Sequence, residues 1–410
     1  EWVTSFGFSV VLAGDLAVDI FFWLTAFLAC YFLLNKMHDN DGDLGSIAKI
    51  LMNRYVRLFP LYFFTLFFFW KFIVVFGGDG PMFFMYSEVN GCSQNWFWHL
   101  LYLNNVIPWN GTDWCMGWTW YLANDFQFYL TVPILVSLYY RKRKAFYITV
   151  FLVMFLCGVV EMTVVMANSL SPSYLVYSDD YWSLYYVKPY SRFNQFLLGV
   201  LSGCLYYSYQ REWELPSCFT NTLSNLRKST SMTAISIIGG ASLMVLMVLY
   251  LHGINCSESS MLSSMVYLVF SRPLFVLGFS LVAFPLILGC GLVRPVGAVL
   301  AHQFWVPFAR LSYGAYLCNE IFMLFRDYNT ERGQWACSFD AILLFFAFLT
   351  FSFLFSFIMG VLVEMPCLAL WFELAIKQKG KEEDAFNHSK SAKSARQTFD
   401  ATGGSEIGKQ

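Results

Sequence analysis

VLAGDLAVDIFFWLTAFLACYFLL, residues 11–34, decides how the chain is read. It is long enough to cross a hydrocarbon core of roughly 30 Å as a single helix. Yet it carries Asp15 and Asp19, four residues apart and so on one helix face. An ionisable side chain inside such a span is costly, faces the interior of a bundle and marks a place where function is to be sought. Asp15 lies near the end of the run and is expected at the interface, solvated. Asp19 is followed by FFWLTAFL and is expected to meet a cation or to hold a proton.

Runs of the same kind recur along the chain. Hydrophobic residues make up 58% of the 410, Phe alone numbers 44 and charged residues are 13%, too few to coat a soluble domain of this size. The fold class is therefore all-α: a polytopic membrane bundle. Helices are expected near 11–34, 55–77, 118–140, 145–167, 191–209, 232–252, 263–290, 306–326 and 340–374, about nine spans in all. Pro60, Pro133, Pro273 and Pro285 fall inside them, as membrane helices tolerate. Gly199 and Gly203 form a small-xxx-small pair suited to close helix packing. Residues 1–376 read as one membrane domain. The Ser/Lys-rich stretch 377–410 reads as a disordered cytoplasmic tail. The first residue is Glu1, with no signal peptide ahead of the first span. The expectation is a fragment of a longer chain.

Lys and Arg set the orientation. With the 35–54 loop in the cytoplasm, alternating spans bring Lys36, Lys49, Arg54, Arg57, the block Arg141 to Lys144, Arg211, Arg227, Lys228, Arg294 and Arg310 to that side. Lys71, Lys188, Arg192, Arg272, Arg326 and Arg332 fall on or near the other. The sequons at Asn110 and Asn255 then lie in outer loops, where glycosylation is expected; a third, at Asn387, lies in the tail and should stay unmodified. The same side is oxidising. Pairing Cys92 with Cys115 would close the long loop between the second and third spans, and Cys256 with Cys337 is a second, weaker pairing. The net charge of −1 argues neither for nor against any partner, and the lack of a basic domain and of a nucleic-acid motif sets nucleic acid aside.

Three further groups could carry chemistry. Arg54 and Arg57 in NRYVRLFPLYFF stand one turn apart at the mouth of a span; guanidinium forks suit phosphates, although a plain positive flank would look the same. Asn124, Asp125 and Gln127 in CMGWTWYLANDFQFYL are too dense a polar group to face lipid and should line a cavity or a helix contact. Arg192, Asn194, Gln195, Arg272, Asn319, Glu320, Glu161 and Glu364 are scattered in or beside spans, and each alone is as well explained as hydrogen-bonding glue between helices. His38, His99, His252, His302 and His388 fall in loops, at interfaces or in the tail, so no metal is expected.

Taken in order, DLAVDIFFWLTAFL (15–28), NRYVRLFPLYF (53–63), CMGWTWYLANDFQFY (115–129), KPYSRFNQFLLGVLSG (188–203), LSYGAYL (311–317) and VLVEMPCLALWFEL (361–374) resemble the acyltransferase type 3 superfamily, in its invertebrate nose-resistant-to-fluoxetine-like branch. The resemblance implies a bundle of about ten or more helices and transfer of an acyl group from cytoplasmic acyl-CoA to a hydroxyl of a lipid or small molecule. It assigns the donor side to Arg54 and Arg57 and the outer disulfide to Cys92 and Cys115. Asp19 and Asp125 become catalytic candidates, and Asn124, Gln127 and Arg192 substrate-binding ones. The family's usual base is a His in the helix before the Asp-rich one, expected upstream of this fragment. Where the family often has a His after LSYGAYL, this chain has Asn319, which cannot accept a proton at neutral pH. The expected location is the plasma membrane or endoplasmic reticulum. The alternatives are a transporter for lipids or small hydrophobic molecules, its path lined by Asp19, Asp125, Glu161, Glu320 and Glu364, and an inactive acyltransferase-like scaffold. No inverted repeat supports the transporter designs.

Overall fold

Helix α2 (Gly14–Asp39) follows a short α1 (Phe6–Leu12) almost without a break, and the rest of the bundle is arranged around it. The structure is a computed structural model that describes residues 5–39, 45–76, 87–109, 114–173, 180–213, 217–256, 260–330 and 338–374. Among these residues there is no strand. The tail, Asn110, Cys337 and Asn387 lie outside them.

After α2 come α3 (Gly45–Phe67), continued by a π-helical turn into α4 (Ile73–Phe76), and α5 (Ser87–Leu100). Next are α6 (Trp120–Arg141), α7 (Arg143–Ala167), α8 (Phe193–Gln210) and α9 (Ser217–Lys228). The chain closes with α10 (Thr230–Cys256), α11 (Met261–Ile287), α12 (Arg294–Leu300), α13 (Trp305–Asn329) and α14 (Ser338–Met359).

Among the described residues, five helical stretches are long and apolar enough to cross a membrane: Phe6–His38, Arg143–Ala167, Thr230–Cys256, Met261–Ile287 and Phe339–Leu374. The expected count of about nine is not reached on this measure. The other four expected spans are helical, as parts of α3, α6, α8 and α13. Their apolar character is diluted by side chains such as Arg54, Asn124, Asp125, Asn194, Gln195 and Glu320. The apolar helices wear their hydrophobic residues outside: Phe151, Phe155, Ile235, Ile238, Phe345 and Phe346 are all exposed, as a lipid-facing surface requires.

The heart of the packing is α2 against α8. Asp19 meets Arg192, Trp23 meets Gly199, Phe27 meets Gly203 and Asn35 meets Arg211, so the two helices run parallel and in step. A Cβ placed on Gly199 would sit 2.4 Å from the Trp23 carbonyl oxygen, and one on Gly203 2.7 Å from that of Phe27. The small-xxx-small pair is thus a backbone-on-backbone contact. Gly240 of α10 and Gly278 of α11 make a second such contact, each too close to the other's carbonyl for a Cβ. Helix α11 also lies alongside α2, with Arg272 at the level of Asp19 and Phe279 stacked edge-on against Trp23.

Two expectations are corrected here. Lys188, Arg192 and Arg272, placed on or near the outer side, are interior groups at most 3% exposed, so they report on the core and not on orientation. His99, placed with loop and interface histidines, ends α5 and is 1% exposed. Its Nδ1 lies 2.6 Å from the Tyr62 hydroxyl, because the chain after α5 turns inward against α3 and α6. Cys92 on α5 is joined by a disulfide to Cys115, just ahead of α6, across 23 residues of sequence.

Candidate functional site

Two ionic centres stand inside the bundle. The first is sealed. Asp19 is wholly buried, with Oδ1 2.8 Å from Arg192 and Oδ2 3.0 Å from Arg272. Its expected pairing with a cation is met twice over, from α8 and α11. The π-helical turn Tyr181–Tyr186 widens the backbone beside it, and the Tyr186 carbonyl accepts from Arg192 Nε at 3.0 Å. The guanidinium of Arg192 also lies over the rings of Tyr186 (4.4 Å) and Trp120 (4.8 Å), a favourable cation–π geometry. Glu161 of α7, also buried, brings a second carboxyl group near both arginines. Asp15, half-buried, accepts from the Tyr186 hydroxyl at 3.0 Å. It lines a cavity of about 200 Å³ with Arg272 and the aromatic side chains of Tyr181, Trp182 and Tyr267.

The second centre is open. Arg54 of α3 donates to Asp125 of α6, and its guanidinium covers the Tyr129 ring at 3.9 Å. Arg54 is thus drawn inward to the level of Asp125, whereas Arg57 remains exposed. Arg57 lies close enough to Glu364, at the start of the last helical turns, to interact with it electrostatically. The two arginines expected to act together are therefore in different settings. Arg54 Nε and Asp125 Oδ1 are buried and have no hydrogen-bond partner within the protein. Such orphaned atoms call for a ligand or water. Arg192 Nη2 and Glu161 Oε1 at the first centre are orphaned in the same way, so it is the exposure of Arg54 and Arg57 that sets the second centre apart.

Asn124 and Gln127 are committed elsewhere. Asn124 accepts from Asn105 at 2.7 Å and donates to the Val187 carbonyl at 2.9 Å. Gln127 donates to the Tyr102 carbonyl and to Asn105 Oδ1, both at 2.7 Å. Lys188 Nζ donates to the Asn105 and Trp109 carbonyls. Together they hold residues 102–109 as an irregular plug inside the bundle, which satisfies backbone groups that lipid could not. What Asn124 and Gln127 bind is this plug. Tyr62, Thr119 and Asn104 extend the network, with Thr119 Oγ1 accepting from Tyr62 at 3.2 Å and from Asn104 at 3.0 Å. No spacing rule joins Asn105, His99 and Lys188, so sequence reasoning missed the plug. The run LNNVIPWN, polar and aromatic between two apolar segments, was its one visible sign.

Between the two centres α6 presents Trp120 toward Arg192 and Tyr121 toward the Arg54–Asp125 pair. Asn319 faces neither. It lies in a groove of about 550 Å³ between α13 and α14, where its Oδ1 accepts from Ser352 at 3.3 Å. Asn255 is 2% exposed in the last turn of α10, a poor position for a glycan.

A family profile described as an acyltransferase domain matches residues 2–361. The chain belongs to the acyltransferase type 3 family. It is 26% identical to nose resistant to fluoxetine protein 6 of Caenorhabditis elegans over 349 residues, 79% of this chain and 40% of that protein. It is also 29% identical over 136 residues to regulator of hypoxia-inducible factor 1 of Caenorhabditis elegans, covering 32% of this chain and 24% of that one. The chain thus spans well under half the length of either relative. No solved structure matches it. It is a multi-pass membrane member of that family, with Arg54 at the second centre and Arg57 exposed one turn along α3.

Proposed function

We propose that this chain is the membrane domain of an acyltransferase that moves an acyl group from acyl-CoA to a hydroxyl of a lipid or small molecule. The observation that carries the reading is the open centre: Arg54 and Asp125 with unpartnered buried atoms, and exposed Arg57 one turn along α3. The Lys/Arg-rich end faces the cytoplasm, in the plasma membrane or endoplasmic reticulum, with any glycan on Asn110. The donor's phosphates meet Arg57 first, since Arg54 is held by Asp125 and binds a phosphate only by exchanging that partner. The acyl chain then lies in the apolar bundle.

In the transfer, the acceptor oxygen forms a bond to the acyl carbon, the thioester C–S bond breaks, and the hydroxyl proton ends on the departing thiolate. Asp125 Oδ1 accepts a hydrogen bond from the acceptor hydroxyl and orients it. Asp19, its charge already shared by two arginines, positions Arg192 and Arg272 and takes no proton. His99 is not the base, because its ring is held by Tyr62 and by the Cys115 carbonyl.

Acyl-CoA affinity of the purified chain in nanodiscs tests the reading. Arg57→Ala should weaken binding by about tenfold, as loss of one charge-assisted contact implies. Arg57→Lys should weaken it less, since charge survives and the fork does not. Donor binding indifferent to both substitutions would leave Arg57 as a topological flank and remove the donor site.

A further inference from the structure

Helix α9 is amphipathic in an unusual way. Leu223 and Leu226 are buried against Phe284, Cys290 and Val293 at the end of α11. The neighbouring stripe, Thr220, Ser224, Arg227 and Lys228, looks instead into a crevice of about 1080 Å³. Hydroxyls and cations at i, i+4, i+7 and i+8 share one helix face. The opposite wall is equally polar. It is built by the ends of α2 and α8, where Tyr31 donates to Gln210 at 2.8 Å, Gln210 donates to Tyr206 at 2.6 Å and Arg211 donates to Asn35 at 3.0 Å. Arg227 is near enough to the Tyr206 hydroxyl to interact with it electrostatically, so both walls face one space. The floor is apolar, Ile287 and Leu288. Among the described lining residues, three cations, Arg211, Arg227 and Lys228, stand against one carboxylate, Glu212. The crevice is at the Lys/Arg-rich end of the bundle and is built from α2, α8, α9 and α11, none of which carries Arg54, Arg57 or Asp125.

We propose that this crevice binds the phosphate monoester of an amphiphile, with the phosphate between Arg211, Arg227 and Lys228 and an apolar part on Ile287 and Leu288. A phosphate monoester carries between one and two negative charges near neutral pH, which matches the surplus of cations. Arg and hydroxyl donors on two facing walls give it a fixed seat. The same chemistry is offered by a phosphatidic-acid-like lipid and by the 3′-phosphate end of coenzyme A. The proposal does not depend on the transfer activity, nor on the donor contacts assigned to Arg57.

The test uses the full chain in phosphatidylcholine nanodiscs, titrated in separate arms with short-chain phosphatidic acid and with coenzyme A. At least one should bind saturably. The double substitution Arg227→Gln, Lys228→Gln should weaken that binding about thirtyfold, taking the usual contribution of each surface cation to an anionic headgroup. Both side chains are exposed at the end of α9, so the fold should survive their loss. Arg141→Gln with Lys142→Gln, at the same end of the bundle but outside the crevice, should leave binding unchanged. Response to the lipid alone identifies a lipid site, and response to coenzyme A alone a nucleotide site. If neither probe binds saturably, or if both double variants lose affinity equally, the crevice is not a phosphate site.

Discussion

The sealed centre at Asp19 and the open centre at Asp125 are built from the same parts, an inward carboxylate and arginine on a neighbouring helix, yet they are finished differently. Asp19 has an arginine on each oxygen and no exposure. Asp125 has one arginine, one orphaned oxygen and a partner 23% exposed. A buried carboxylate saturated by protein is a joint. One left half-satisfied, beside an exposed cation, is a place for something that comes and goes. Glu161 Oε1 and Arg192 Nη2 are orphaned at the first centre too, so chemistry in this molecule is to be sought where an incomplete ion pair also reaches solvent.

The comparison breaks most readily at Asp19. Asp19→Asn keeps the shape and strands two buried guanidinium groups, which should cost about 4 kcal/mol or more. Thermal unfolding in detergent should register it as a large loss of folded protein. A well-folded variant that lacks only transfer activity would make Asp19 catalytic and undo the contrast. At the open centre, Arg54→Ala should cost about 3 kcal/mol by stranding Asp125. Arg57→Ala, a change at an exposed position, should stay within about 0.5 kcal/mol of wild type. Equal destabilisation by the two would mean that the arginines form one structural unit.

The plug beside Asp125 offers two finer tests. Replacing Cys92 and Cys115 with Ala frees a loop of 23 residues, which should cost about 3 kcal/mol in the chain-entropy account. The loss should appear first as faster hydrogen exchange in residues 99–109, with the amides around Asp19 unaffected. Exchange rising equally at both places would couple the two centres. His99 gives the smallest effect. Burial pushes its imidazole down to about 3, opposed by its hydrogen bond to the Cys115 carbonyl, against about 6.5 in an unfolded chain. A base with the lower value in the fold contributes fully above about pH 6.5 and loses that contribution as pH falls toward 3. Stability should thus fall by about 2 kcal/mol from pH 7 to pH 5. His99→Gln should flatten that slope, and an unchanged slope would assign it to other groups.

Much of this was legible in the amino-acid sequence. The apolar runs gave the helices, because lipid demands them. Asp19 could be foreseen as buried and paired because its neighbours are Phe and Trp. Gly199 and Gly203 announced a close helix contact by their spacing. The partners could not be foreseen. Arg192 and Arg272 are 173 and 253 residues from Asp19, and nothing local distinguishes them from arginines at a membrane surface. Arg54 likewise read as a flank or a donor-side arginine, and nothing in the sequence pointed to its pairing with Asp125. Beyond the run LNNVIPWN the plug left no sign, because its order comes from Gln127 and Lys188 reaching backbone carbonyls and from Asn105 meeting Asn124, which leave no pattern of residue types. Five of the expected nine spans pass on length and hydropathy alone for a related reason: helices that line a polar interior lose the apolar excess by which spans are counted.

The glycine contact between α2 and α8 decides which parts of the molecule can move. With carbonyls of one helix lodged where the other has no side chain, sliding or tilting of the pair meets a wall of backbone atoms. Arg192 and Arg272 pin the same pair to each other and to α11 one turn above. These three helices therefore behave as a stationary frame. On the other side α3 and α13 meet α6 through tyrosines and, among the described residues, one ion pair, a looser contact. Spin labels across α2 and α8 should report one fixed separation, while labels across α3 and α6 should report the breathing of the protein; a broad distribution across the first pair would show that the frame itself flexes.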